Sequence, residues 1–390
     1  MTGMKRVDCA LVYGDGSAPE MMEVACACVG KAAEKNGYQV VFHSTPMGWV
    51  AYKQYDDTLP EKSLERATEI GLLFFGGVGD PQMDSTIGEQ FPDQRPEARC
   101  LMTLRKKWQL LHNFRPMIFY PELRECSNLA PRNLPENWVL EWHFVRFLLQ
   151  DSYFGTRDLY EKFSPELRRA IGLYRKGELP DDAKICTDLA YFTEEMLERY
   201  FRVVFSYARK VRLPVIAVDK QNIMTRFDFW RKIYKRVRDE FPDVEVKEPL
   251  YVDAANATLI QNPQAMHGVI ACANEHGDFL SDGGAAALGS MGVMCSSAVN
   301  LETGAAMFES GAGTAPTLAK KNKANPLGRI LTGAMLLDHV GAIEAAQRIR
   351  QAVRDVISAG YRTADIARKD TPPGMILGTR EMGQEVLDRL

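Results

Sequence analysis

No two of the eight cysteines form a CxxC pair; the closest spacing is Cys26-Ala-Cys28. That spacing fits neither a zinc site nor a redox motif, so the thiols are expected to be buried and reduced, as in a cytosolic protein. No apolar run is long enough to span a bilayer, and the opening residues carry no secretory pattern. A membrane partner is therefore excluded and a cytoplasmic location expected. Charge of one sign is scarce as well: 48 Lys and Arg stand against 51 Asp and Glu, a net −3. With no basic excess to neutralise phosphates, nucleic acid is not expected as a partner. Internal repeats, low-complexity segments and the GxGxxG turn of dinucleotide folds are also absent.

What remains is ordinary globular material, 390 residues with 46 % hydrophobic and 25 % charged content, long enough for two domains. The first hundred residues alternate strand and helix. Ala10 to Tyr13, Tyr38 to His43 and Ile70 to Phe75 read as strands, and Pro19 to Ala33 reads as a helix with Pro near its start. That order predicts a largely parallel α/β sheet. Arg105 to Asn113 looks helical and closed by Arg115-Pro116, and 117–150 shows short apolar runs with prolines. Residues 156–190 are dense in charge and read as a surface insertion. Thr193 is placed to cap an amphipathic helix whose apolar face carries Met196, Leu197, Tyr200, Phe201 and Val204. Pro214 to Val218 and Val269 to Ala273 read as strands. Phe227 to Phe241, Arg329 to Val340 and Ala342 to Ser358 read as helices.

The richest stretch is Asn274-Glu-His-Gly-Asp278-Phe-Leu-Ser-Asp282. On a helix, Asp278 and Asp282 share one face and repel each other. A divalent cation such as Mg²⁺ would reverse the sign of that interaction. Taken alone the pair could equally be two solvated aspartates; Asp253, after a strand-like stretch, offers a third acid. Arg105, Arg115 and Arg146 stand where short apolar elements end. Converging guanidinium groups would hold a di- or tricarboxylate, although any one of them could instead make an ion pair. Lys220 follows a strand at its carboxyl end, where α/β proteins place ligands. Tyr153 could donate a proton or simply sit half-buried.

The order of these segments resembles the isocitrate and isopropylmalate dehydrogenase family over nearly the whole chain. Gly14-Asp-Gly-Ser-Ala-Pro-Glu20 is similar to the family's GDGIGPE. Arg105, Arg115 and Arg146 match its substrate-binding arginines, and Tyr153 and Lys220 its catalytic pair. Asp253, Asp278 and Asp282 match its metal-binding aspartates. The resemblance implies an α/β fold of two domains that is not a Rossmann fold. Residues 1–110 and 289–390 would form a large nucleotide-binding domain. Residues 111–288 would form a small one with the catalytic residues, the dimer interface and the charged insertion. It further implies oxidative decarboxylation of a 3-substituted malate (isopropylmalate, isocitrate or D-malate type) with Mg²⁺ or Mn²⁺. The enzyme would be a homodimer with composite sites, Lys220 and Asp253 acting across the interface. Tyr200 and Phe201 suggest the helix after Thr193 as an interface element.

The chain departs from the family at its nucleotide loop. The resemblance places Glu309, Gly313, Thr314, Ala315, Pro316, Thr317 and Asn325 around the cofactor. Ala312 stands where a histidine usually packs on adenine, and Thr317 where NAD-preferring members have aspartate. The choice between NAD and NADP is thus open, with Lys320, Lys321 and Lys323 nearby. The family's glutamate after the third arginine is Phe147. In the specificity segment, Leu101 and Met102 would favour an apolar substituent, whereas Arg99 could reach an acidic one. The altered loop also admits an alternative, a non-catalytic or regulatory subunit that keeps the fold and binds metabolites.

Overall fold

A computed structural model describes residues 3–129, 140–154 and 190–390; the charged insertion lies outside them except for residue 190. Among the described residues, ten strands form one sheet in the order β2-β1-β3-β10-β9-β4-β5-β8-β6-β7. The strands are β1 (Lys5–Val12), β2 (Tyr38–Ser44), β3 (Leu72–Phe75), β4 (His112–Ile118) and β5 (Glu141–Phe147). They continue with β6 (Val215–Asp219), β7 (Leu250–Tyr251), β8 (Gly268–Cys272), β9 (Ser297–Val299) and β10 (Ala306–Glu309). Both flanks are parallel, as expected, whereas the centre β10-β9-β4-β5 is antiparallel. β3 is buried at all four residues, the pattern of a strand covered on both faces.

The main helices are α1 (Ala18–Glu34), α2 (Glu194–Val211), α3 (Thr225–Arg238), α4 (Val252–Gln261), α5 (Asn274–Leu288), α6 (Leu327–His339), α7 (Ile343–Ser358) and α8 (Thr379–Arg389). Helix α1 buries Met21, Met22, Ala25, Cys28, Val29, Ala32 and Ala33 at helical spacing. It packs so closely on α6 that a Cβ at Gly333 would lie 2.3 Å from the Val29 side chain. Apolar clusters drawn mainly from both chain ends fill one half of the molecule, and clusters drawn from the middle fill the other. All seven described cysteines are free, and six are buried.

Two expectations are corrected. The Arg105–Asn113 helix ends at Lys107, because Gln109 turns at φ 51° and the chain enters β4 at His112. Pro116 does not end a helix but lies inside β4. It pairs with His143 of β5, beyond the reach of β9, which covers only residues 112–114. A strand tolerates proline where one side has no ladder to complete. Tyr200 and Phe201 are fully buried within the chain. They pack edge-on or tilted against each other, Phe147 and Trp230 at centroid separations of 4.8–5.3 Å, and the Tyr200 hydroxyl donates to the Val145 carbonyl oxygen at 2.6 Å. They are core and leave nothing for an interface. The same cluster explains Phe147, which fills a dry aromatic core where a carboxylate would have no partner.

Candidate active site

Arg115 and Arg146 converge because of sheet register. Asn113 pairs with Arg146 across the antiparallel β4–β5 ladder, so Arg115, two residues along, projects from the same face. Helix α5 lies against that face, and glycine permits the approach: a Cβ at Gly277 would meet Cys272 Sγ at 2.8 Å and Arg146 Cγ at 2.9 Å. The helix also fixes the guanidinium. Arg146 Nε donates to the Asn274 backbone and side-chain oxygens, both at 2.8 Å, and Nη1 donates to Asp278 Oδ1 at 2.6 Å. Arg115 Nη1 donates to Ser281 Oγ at 2.7 Å and Asp282 Oδ1 at 2.9 Å, and lies 3.2 Å from Asp278. The Tyr153 hydroxyl donates to Asp278 Oδ2 at 3.1 Å, and its ring faces Arg146.

Electrostatics follow from this crowding. Burial pushes Asp278 up, but Arg146, Arg115 and the Tyr153 hydroxyl together hold it below the usual carboxylate range. At Asp282 burial outweighs Arg115, so its pKa is raised. Burial, reinforced by the neighbouring Arg115 charge, lowers Arg146 to about 9. Burial and the Asp278 charge push Tyr153 up to about 12, which keeps its proton in place near neutrality. The two aspartates, four residues apart on one helix face, fit a hard divalent cation in donor chemistry. Among the described residues no three His, Cys, Asp or Glu side chains of one chain gather for it.

These residues line a cleft of about 500 Å³ together with Arg105, Glu97, Leu101, Met102, Glu309, Gly313 and Thr314. Arg105 Nη2 lies 3.6 Å from Glu309. Glu97 and Arg95 also line the cleft and were not anticipated. The reason is a π-turn over Glu97–Leu101 running into the Met102–Lys107 helix. It faces Glu97, Ala98, Leu101, Met102 and Arg105 to the cleft and Cys100 and Leu104 to the core. Such an insertion is invisible to ordinary helical spacing.

Other expected residues lie elsewhere. Arg99 is absent from the cleft lining: its Nε and Nη2 are bound to Asp57 at 2.9 and 3.1 Å. Asn325 is buried; its Oδ1 accepts from the Leu327 amide at the start of α6 and its Nδ2 donates to Asp365. It is not among the residues that line the cleft. Ala315, at φ 39°, leads into the short Pro316–Leu318 turn, and Thr317 is exposed. Lys220 Nζ donates to Asp253 Oδ1 at 2.6 Å. That pair, formed by the end of β6 and the first turn of α4, is not part of the cleft lining in the single chain.

The model of the isocitrate/isopropylmalate dehydrogenase family matches residues 8–386. The chain belongs to that family. It is 36 % identical over 383 residues to a 3-isopropylmalate dehydrogenase of Cupriavidus metallidurans, covering 98 % of this chain and 99 % of that one. It is 34 % identical to its counterpart in Carboxydothermus hydrogenoformans, covering 97 % and 93 %. Among solved structures, isocitrate dehydrogenase from Methylococcus capsulatus is similar at TM-score 0.78 and 28 % identity, covering 98 % and 99 %. A beta-decarboxylating dehydrogenase from Thermococcus kodakarensis is similar at TM-score 0.73 and 27 % identity, covering 98 % and 96 %. The family and its 3-isopropylmalate dehydrogenase relatives make the chain a decarboxylating dehydrogenase.

Proposed function

We propose that the cleft oxidises a 3-substituted malate at C2 and releases its 3-carboxylate as CO₂, with an alkyl substituent at C3. The observation that carries this reading is the meeting of three arginines, Tyr153 and two aspartates in one cleft opposite Glu309, Gly313 and Thr314. Arg105, Arg115 and Arg146 bind the substrate carboxylates as fixed cations. Leu101 and Met102 border the substituent, and Arg99, the residue suited to an acidic one, is held by Asp57. Tyr153, protonated, delivers a proton to C3 after CO₂ departs. Lys220 accepts the C2 hydroxyl proton. NAD or NADP, against residues 309–317, supplies the hydride acceptor. Mg²⁺ or Mn²⁺ would be held by Asp278 and Asp282 with Asp253 of a second copy, and supplies Lewis-acid stabilisation of charge developing on oxygen.

A homodimer with composite sites is part of this reading. The cleft contains Tyr153, Asp278 and Asp282 but lacks Lys220 and Asp253. Exposed apolar side chains flank both partial sets: Ile223, 73 % exposed, and Met224 follow Lys220, Tyr251 precedes Asp253, and Phe279, 62 % exposed, follows Asp278. These residues replace Tyr200 and Phe201 as the candidate contact. The test mixes inactive Lys220→Ala with inactive Tyr153→Phe and assays with Mn²⁺, both nucleotides, 3-isopropylmalate and isocitrate. Hybrid dimers should regain part of the activity, with 3-isopropylmalate preferred. No recovery, together with a monomer in sedimentation at micromolar concentration, would refute composite sites; a preference for isocitrate would refute the alkyl substituent.

A further inference from the structure

Beneath the nucleotide loop lies a cation with too few partners. Arg329, in the first turn of α6, is 1 % exposed. Its Nη2 donates to the Gly313 carbonyl oxygen at 2.8 Å, whereas Nε and Nη1 have no hydrogen-bond partner among the described residues. Burial lowers its pKa to about 10 against the opposing charge of Glu309, so it is cationic at neutral pH. Each buried donor left unbonded costs about 1–3 kcal/mol, and a cation in the first turn also opposes the helix dipole. Among the described residues the opposing charge of Glu309 answers the cation, but no acceptor reaches Nε or Nη1.

The wall between this guanidinium and the cleft is nearly bare backbone. Gly77, at φ 93°, lines the cleft, and a Cβ there would lie 3.2 Å from Nη2 and 3.9 Å from Nη1. Gly313, at φ 60°, lines it too, and a Cβ there would meet nothing within 4 Å. Thr314 beside it is tethered from behind, its carbonyl oxygen accepting from the Ser17 amide at 2.8 Å and the Ser17 hydroxyl at 2.9 Å. A positive charge so thinly covered acts strongly on an anion at the wall, because little water intervenes to screen it.

We propose that Arg329 floors an anion subsite between Gly77 and Gly313–Thr314 on the nucleotide side of the cleft. The occupant is an oxyanion, supplied either by a phosphate of the bound dinucleotide or by a substrate carboxylate. Only the choice between these sources rests on the dehydrogenase reading.

Calorimetric titration of the full chain and of its Arg329→Met and Arg329→Lys variants tests this. The probes are inorganic pyrophosphate, NADH and malate, each with a ligand-free melting scan. Arg329→Met should weaken pyrophosphate and NADH binding at least tenfold, leave malate within twofold, and melt no lower than the parent. Arg329→Lys should recover part of the affinity. Loss of malate binding alone would assign the subsite to a carboxylate and still support it. Affinities all within twofold, or a Met variant that melts lower with unchanged binding, would reduce Arg329 to a structural role and overturn the proposal. Arg329-dependent pyrophosphate binding in a protein that oxidises no malate would uphold the subsite while defeating the reading of function.

Discussion

The two walls of the cleft are built on different terms. On the carboxylate wall three functional side chains are held by hydrogen bonds to residues of α5. Arg146 is fixed by Asn274 and Asp278, Arg115 by Ser281 and Asp282, and Tyr153 by Asp278. The opposite wall is built from Glu309, Gly313 and Thr314, with Thr317 exposed beyond it and the Arg329 guanidinium buried behind Gly77 and Gly313. The first wall pre-organises charge, which is where electrostatic catalysis gains most. The second relies on backbone and on a field from below. A site can thus keep its chemistry fixed while its grip on a diffusible cofactor drifts.

Breaking the carboxylate wall should have the largest effect. Asp278→Asn removes the anion shared by Arg146, Arg115 and Tyr153, and we expect kcat/KM to fall ~10³-fold, the scale of a lost electrostatic stabiliser. The ligand-free protein should lose about 1–3 kcal/mol in a urea titration, because Arg146 is left without its counter-charge. Turnover and Mn²⁺ affinity within twofold of the parent would remove Asp278 from the site. Gly277→Ala probes the same wall from behind. A methyl group forced against Cys272 and Arg146 should cost about 1–3 kcal/mol and, by shifting the guanidinium, lower kcat/KM by roughly 10². A variant with normal kinetics would show that α5 does not position Arg146.

Changes to the other wall should be milder and should alter selectivity rather than turnover. The parent enzyme is expected to favour NAD or NADP by no more than about tenfold, since a neutral Thr317 bond nets only ~0.5–1.5 kcal/mol. Thr317→Asp should move the ratio toward NAD by roughly tenfold or more through a charged acceptor. A parent preference above a hundredfold would place the discriminating residues outside the loop. The last effect lies outside both walls. His112 is buried against Tyr200, and burial lowers its pKa to about 3. With an unfolded value near 6.5, its contribution is complete above that pH and declines as pH falls toward 3. The parent should lose about 2 kcal/mol between pH 7 and pH 5 at this site, and His112→Phe should flatten that limb in parallel denaturation curves.

The carboxylate wall was legible in the sequence because its chemistry restricts residue type: Arg binds carboxylates as a rigid fork, and hard cations prefer carboxylate oxygens. Helices with one clean apolar stripe, such as α1 and α7, were legible for the same reason of restricted pattern. Geometry that depends on distant segments was not. Asp57 captures Arg99 from 42 positions away, the π-turn at Glu97–Leu101 breaks the period on which helix reading rests, and β5 lies between stretches whose prolines obscured it. Nothing in the local sequence marks Arg329, since its isolation comes from Gly77 and Gly313 closing over it.

The antiparallel centre of the sheet has a mechanical corollary. β9 is three residues long and is the sole strand between β10 and β4, joined to each through three residue pairs. Among the described residues this short strand alone joins the two parts of the sheet that carry the walls, so torsional compliance between them is expected to concentrate along Ser297–Val299. Ser296 sits at that fulcrum, accepting from Asn113 Nδ2 at 2.8 Å while its own amide reaches Thr332 of α6. It also lines the cleft. A rigid substitution at Ser296 is therefore expected to narrow the range of substrates the mouth admits, which kcat/KM across a series of 3-substituted malates would register.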